Sequence, residues 1–288
     1  MSQSYSPYTR RQTMVAPDFE VYRYRSAYMN EVELHHHDFY EVYLLLQGSV
    51  EYIVENQIYH VRPGDVMLVS PLELHQARIG TGQDCERIVL WVDRAYLERL
   101  STAATSLTRC FDRTAPEHSN LLRLPRAAFD TLCQRTGRLA ELRGQTDYGC
   151  DVLRTACLTE LMVDLNRAAL RSRPVNAATS DSVVDQVVAY INDHYNEPIT
   201  LDMLSERFFL SKYHLLRKFE EQVGTTVHRY VMQKRLMIAR QLLAGGVPGS
   251  EACLHCGFGD YANFYRAFKA EYGLTPRQYL QSLQARDG

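Results

Sequence analysis

A segment near the end of the chain occurs twice. Leu215, Arg217, Phe219, Gly224 and Tyr230 recur as Phe264, Arg266, Phe268, Gly273 and Tyr279, each number in the second set being 49 higher. A fixed period of this size marks a repeated supersecondary unit. Each copy follows one plan: a short helix candidate (LDMLSERF from Leu201, GSEACLHC from Gly249), a turn, a polar N-cap at Ser211 or Asp260, then a second helix. That plan is a helix-turn-helix, expected at about 201–223 and again at about 249–272. A long helix over 226–243, closed by Gly245-Gly246, joins the copies. Residues 181–288 are thus expected to form one all-α, double helix-turn-helix domain.

On a helical wheel Leu215, Phe219 and Val223 share one stripe, and Tyr213, His214 and Arg217 fall opposite it. In the second copy Phe264, Phe268 and Tyr272 take the stripe and Ala262, Asn263 and Arg266 point outward, while Lys212 and Tyr261 project from the first turns. Arg suits the O6 and N7 edge of guanine, Asn suits N6 and N7 of adenine, and Ala or a ring meets a thymine methyl. Lys218 and Lys269, with the helix N-termini, suit phosphates. The DNA-binding candidates are therefore Lys212, Tyr213, His214, Arg217, Lys218, Tyr261, Ala262, Asn263, Arg266 and Lys269. Periodicity alone is also compatible with a helical domain whose polar faces are merely solvated.

Charge separates these readings only by its placement. The chain of 288 residues has a net charge of −2, and residues 181–288 hold 12 basic and 12 acidic groups. All four lysines lie there, however, and Lys212, Lys218 and Lys269 sit on the two candidate recognition helices.

The first part of the chain reads differently. Between 19 and 92 short Val-, Ile-, Tyr- and Leu-rich runs are separated by turn signals at Gly48, 55–57 and Pro63-Gly64-Asp65, which predicts an all-β barrel or sandwich. From 93 to 171 the pattern becomes helical, with one helix over 126–142 and a stripe of Leu153, Cys157, Leu161 and Leu165 at fourfold spacing. Residues 172–180, SRPVNAATS, read as a linker, and 1–18 as an N-terminal arm. The seven cysteines are scattered and odd in number, which fits reduced thiols. With no apolar leader or long apolar run, the expectation is a soluble cytoplasmic protein without membrane contact.

The last hundred residues resemble the AraC/XylS family of bacterial transcription regulators. The resemblance is carried by ITLDMLSERFFLSKYHLLRKFEEQVGTTVHRYVMQKRLMIARQLL and CGFGDYANFYRAFKAEYGLTPRQY, the second reproducing a signature through Gly257, Phe258, Asp260, Phe264, Arg266, Phe268, Lys269, Gly273, Thr275, Pro276 and Tyr279. It implies base contacts from the early turns of both recognition helices, a homodimer to which the stripe on 153–165 contributes, and RNA polymerase as a partner. That stripe is also what packing a helix on the sheets requires. Two departures stand out: Ala252-Cys253 replaces the usual Ile-Ala pair, and Pro248-Gly249 stands where a β-branched residue is common, which predicts looser packing there. Cys253 and Cys256 form a lone C-x-x-C without a second ligand pair, and read as small buried thiols.

In the first domain, His35, His37, Glu41 and Gly48 resemble a first cupin motif, and Pro71 with His75 part of a second. The fold class that results is α+β in two domains, a cupin-like β-barrel with a helical dimerisation segment followed by the helical domain. His35, His37, Glu41, Tyr43, His75 and Trp91 are the candidate pocket for a small-molecule effector, with a sugar suggested by family habit. Enzymatic cupins hold a metal with such residues, but Glu73 stands where the enzyme motif prefers Gly. The expectation is therefore a ligand-responsive regulator with no catalytic residues, no cofactor and no metal, His35, His37, Glu41 and His75 being the set that would hold one. The competing reading is a metal-dependent cupin enzyme, a sugar isomerase or dioxygenase, with an accessory helical domain.

Overall fold

The computed structural model describes residues 13–26, 34–55, 57–71, 73–80, 84–116, 118–172 and 183–287, with side chains as far as 282. Most of the proposed arm, nearly all of the proposed linker and Asn56 of the 55–57 turn lie outside the described residues. The chain divides into two compact units, Met1–Thr179 and Ser180–Gly288.

Among the described residues the first unit contains eight strands: β1 Phe19–Ser26, β2 Tyr40–Gln47, β3 Val50–Val54, β4 Gln57–Val61, β5 Asp65–Val69, β6 His75–Ile79, β7 Cys85–Val92 and β8 Leu121–Arg123. They form two antiparallel sheets, β1-β7-β2-β5-β8 and β4-β3-β6. Tyr43, Leu45 and Met67 of the larger sheet share one core with Val50, Tyr52 and Val61 of the smaller. On the opposite face of the larger sheet Val42, Leu44 and Leu68 meet Phe129, Leu132, Leu161 and Leu165 from the helices. Strand β2 is consequently buried on both faces, and its apolar run YEVYLLL shows no alternation.

The expected closed barrel is corrected to a sandwich: among the described residues no ladder joins the two sheets. The chain changes sheet through turns that interrupt pairing. Gly48, between β2 and β3, has φ +96°, and a Cβ there would lie 2.9 Å from the carbonyl oxygen of Asp84. Gly64, between β4 and β5, has φ +97°.

The expected helical segment 93–171 is helical only in part: after α1 (Arg94–Leu100), capped by Asp93, the described residues of 101–125 form no α-helix, only a 3-10 turn at Arg109–Phe111 and β8, which adds an edge to the larger sheet. Two helices follow, α2 (Arg126–Leu142) and α3 (Cys150–Arg171), joined across their polar faces by Arg135, whose Nε donates to Asp164 at 2.7 Å. Cys157, Leu161 and Leu165 of the predicted stripe are buried within this unit, and only Leu153 is exposed, at 43%. Three of the four stripe residues therefore belong to the core that α2, α3 and the larger sheet share, while Tyr148, just before α3, and Val152 and Leu153 at its start are exposed.

The second unit comprises α4 (Val183–His194), α5 (Leu201–Arg207), α6 (Lys212–Val223), α7 (Val227–Ala244), α8 (Gly249–His255), α9 (Tyr261–Tyr272) and α10 (Pro276–Asp287). Helices α5 and α6 make the first helix-turn-helix, α8 and α9 the second. Ala252, Cys253 and Cys256 are buried with Phe258, Phe264 and Phe268 in one core, and a Cβ on Gly249 would come within 3.2 Å of the Tyr261 hydroxyl. Tyr261 thus lies against the small residue at Gly249, and Ala252 and Cys253 are at most 3% exposed.

Candidate nucleic-acid interface and sensor site

Both recognition helices begin on a side-chain cap. Ser211 Oγ accepts from the His214 N–H at 3.3 Å and Asp260 Oδ1 from the Asn263 N–H at 2.8 Å. Both end on a left-handed glycine, Gly224 at φ +80° and Gly273 at φ +71°. Within these bounds Leu215, Phe219, Phe264 and Phe268 are fully buried and set the rotation of each helix. All ten candidate residues, Lys212, Tyr213, His214, Arg217 and Lys218 on α6 and Tyr261, Ala262, Asn263, Arg266 and Lys269 on α9, are consequently exposed. Tyr213 is 75% exposed.

Several of these groups are engaged internally. Arg217 Nε donates to Glu221 Oε1 at 2.9 Å, and Lys212 pairs with Asp202 of α5. On α9 the Arg266 guanidinium donates to the Asn263 side-chain oxygen, whose amide nitrogen in turn donates to Asp260. These are exposed pairs of small net value, readily exchanged for a phosphate or a base edge.

The first unit gathers its candidates in the sandwich interior. His35 and His75 form an isolated antiparallel bridge, with N–H to carbonyl distances of 3.1 and 2.9 Å, and their rings stand 4.1 Å apart. His37 stacks on Phe39 at 3.9 Å, and its Nδ1 lies 3.0 Å from the Phe39 carbonyl oxygen. His75 Nδ1 lies 2.8 Å from the Glu73 carbonyl oxygen. A carbonyl only accepts, so both Nδ1 atoms carry hydrogen and the lone-pair face of each ring is at Nε2. Burial holds His75 well below the usual imidazole range, which keeps it neutral.

Glu41 is buried beside them. Tyr52 donates to its Oε1 and Trp91 Nε1 to its Oε2, each at 2.7 Å, and its Oε2 is 3.4 Å from His37 Nε2. Burial alone would raise this carboxyl; the neighbouring His37 and the Tyr52 hydrogen bond prevail and hold it well below the usual carboxylate range. Tyr43 lies edge-on to Tyr52 at 5.3 Å between ring centres. The sequence reading omitted Tyr52 and Phe39. The signal for Tyr52 was its place in β3, facing the core with Val50 and Val54; for Phe39 there was none beyond its apolarity.

A polar, histidine-lined interior in one unit and a pair of exposed reading helices in the other make this a sensor-coupled, DNA-binding transcriptional regulator. Residues 17–147 match the family model for an AraC-like ligand binding domain and 204–282 the model for a helix-turn-helix domain, together more than half of the chain. The chain belongs to the AraC family of transcriptional regulators and is not an enzyme. It is similar to the HTH-type transcriptional activator RhaS of Salmonella arizonae, at 28% identity over 87% of this chain and 88% of that one. RhaS of Escherichia coli O157:H7 is 27% identical over 88% of each chain. Among solved structures, ToxT from Vibrio cholerae aligns over 93% of this chain and 98% of its own, at 14% identity and a TM-score of 0.39.

Proposed function

We propose that α6 and α9 read promoter DNA, with Lys212, Tyr213, His214, Arg217, Tyr261, Ala262, Asn263 and Arg266 meeting base edges and Lys218 and Lys269 meeting phosphates. The observation that carries this is the pairing of two equivalent helices whose buried stripes turn matching polar faces to solvent. Helices of this type enter successive major grooves about one turn of duplex apart. The first unit, from about 19 to 92 with its helical extension to 171, senses a small-molecule effector around His35, His37, Glu41, Tyr43, His75 and Trp91. A sugar of a catabolic pathway is the effector that the family resemblance suggests.

Regulation operates as a population shift: the effector must bind one arrangement of arm, sensor and DNA-binding domain better than another. The chain acts as a homodimer in the cytoplasm, in contact with RNA polymerase. The exposed Tyr148, Val152 and Leu153 at the start of α3 support the dimer, and the seven free cysteines support a reducing compartment.

Fluorescence anisotropy on DNA from upstream of its own gene and its neighbours, at several salt concentrations, tests the reading. Arg217→Ala and Arg266→Ala each weaken specific binding by about 1–3 kcal/mol, and affinity falls steeply with salt. Specific binding that neither substitution touches would remove α6 and α9 as the reading helices.

A further inference from the structure

The helices of the first unit enclose a cavity that effector sensing inside the sandwich does not use. It lies between the start of α2 and the end of α3 and measures about 520 Å³, within the range of roughly 300–1,000 Å³ typical of small-molecule sites. Its floor is apolar, with Leu132 buried and Leu124, Ala128 and Ala168 half-buried. Leu132 belongs to the core on the helical face of the larger sheet, whereas Tyr43, Tyr52 and Trp91 belong to the core on its other face. The sheet therefore separates the two places.

Arg123, Arg167 and Arg171 line the same cavity and are exposed. The one carboxylate among the lining residues, Asp164, is already bound by Arg135 Nε at 2.7 Å. Arg123 reaches only Asp65, at 3.7 Å, and Arg167 and Arg171 pair with no carboxylate among the described residues. The lining hydroxyls are engaged as donors, Thr131 to the Ala127 carbonyl at 2.9 Å and Ser172 to the Ala168 carbonyl at 2.8 Å. What the cavity offers a ligand is thus an apolar floor and guanidinium N–H groups, which match the paired oxygens of a carboxylate or phosphate.

We propose that this cavity binds an amphipathic organic anion, its oxyanion head at Arg167 and Arg171 and its apolar body on Leu124, Leu132 and Ala168. A second copy of the chain fits poorly here, because a two-fold contact sets a patch against itself and would face arginines with arginines. The exposed apolar residues at the start of α3 are also remote, Leu153 and Arg167 being about 21 Å apart along the helix.

The test needs no DNA. Anilinonaphthalene sulfonate, an aromatic body with one anionic head, is titrated by fluorescence into the folded full-length chain, beside the uncharged N-phenylnaphthylamine. One equivalent of the sulfonate binds per chain, and the uncharged probe binds far more weakly. Arg167→Gln and Arg171→Gln together weaken the sulfonate by roughly 10-fold or more and leave the melting midpoint in place, since both positions are exposed. Ala128→Phe, which fills the cavity, lowers binding likewise. Tyr52→Phe alters only the sandwich interior and leaves binding unchanged, so failure here is distinct from failure of the effector reading there. Naphthoate or naphthyl phosphate displaces the probe, and the tighter of the two identifies the head group. Absence of saturable binding, or binding lost with Tyr52→Phe but kept by the arginine pair, would overturn the proposal. So would displacement by inorganic phosphate at the same concentration as by the naphthyl anions, which would leave a bare anion site. A change of sedimentation coefficient in the arginine pair would give the groove to a second copy and overturn it equally.

Discussion

Arg217 and Arg266 are held in different ways before any DNA arrives, and the difference is measurable. Arg217 is paired with Glu221 one turn along the same exposed face, so a phosphate or guanine must displace a carboxylate. Arg266 is steadied by Asn263, a neutral amide itself anchored on Asp260, and gives up no ion pair. Glu221→Ala therefore tightens DNA binding a few-fold, the equivalent of about 0.2–1 kcal/mol for an exposed pair, while Arg217→Ala weakens it. Anisotropy titrations of both variants at one salt concentration decide this; unchanged affinity in Glu221→Ala would mean the pair opens at no cost. The outward positions of all these residues were legible in the sequence, because the spacing of Leu215, Phe219, Phe264 and Phe268 dictates which face is buried. The internal pairs were not legible, since a rotamer and its partner depend on the finished helix surface.

The two helix-turn-helix elements differ by one residue in their turns. Recognition helices α6 and α9 begin 49 residues apart, but supporting helices α5 and α8 begin 48 apart, so the second turn is longer by one. The hydrogen bonds agree: Leu210 N–H to Ser205 carbonyl and Phe258 N–H to Cys253 carbonyl are equivalent at an offset of 48, which leaves Gly259 as the inserted residue. In both turns one residue is left-handed, Phe209 at φ +55° and Gly257 at φ +72°. Phe209 is 94% exposed and gains nothing from packing, so Phe209→Gly raises stability by about 0.5–1 kcal/mol through relief of the backbone. Gly257 is the opposite case. A Cβ there would lie 2.4 Å from the carbonyl oxygen of Asn196, in a loop that Arg235 of α7 also grips through the Tyr195 and Glu197 carbonyls at 2.7 Å each. Gly257→Ala costs about 1–3 kcal/mol. Urea denaturation followed by circular dichroism reads both changes, and a neutral Gly257→Ala would show that the loop yields freely. The repeat revealed the elements, but an offset taken only from the recognition helices conceals a one-residue insertion before them.

Two units with separate cores imply that damage to one need not be felt by the other. The single tryptophan, Trp91, lies in the sandwich and reports on the first unit alone, whereas helix content is shared. Phe264→Ala, which empties a fully buried position, removes about 3–5 kcal/mol from the second unit. The helical transition moves to lower temperature while the Trp91 fluorescence transition stays where it was; a common shift of both would show that the units melt together. Residues 19–92 could be read as β and 181–288 as a doubled helix-turn-helix because alternation, turn residues, caps and a repeat are local signals, present in the order of the chain. Whether the strands close into a barrel or stack as two sheets was decided by which strands distant in the chain pair with one another, with corners at Gly48, which lies tight against the Asp84 carbonyl, and at Gly64, which takes a positive φ. The stripe of Leu153, Cys157, Leu161 and Leu165 announced an apolar helix face, but only packing showed that the last three join a core shared with α2 and the larger sheet while Leu153 stays exposed. The convergence of His35, His37, His75 and Glu41 likewise belongs to the tertiary structure, because residues 40 apart in sequence become neighbours only when β6 pairs back against His35.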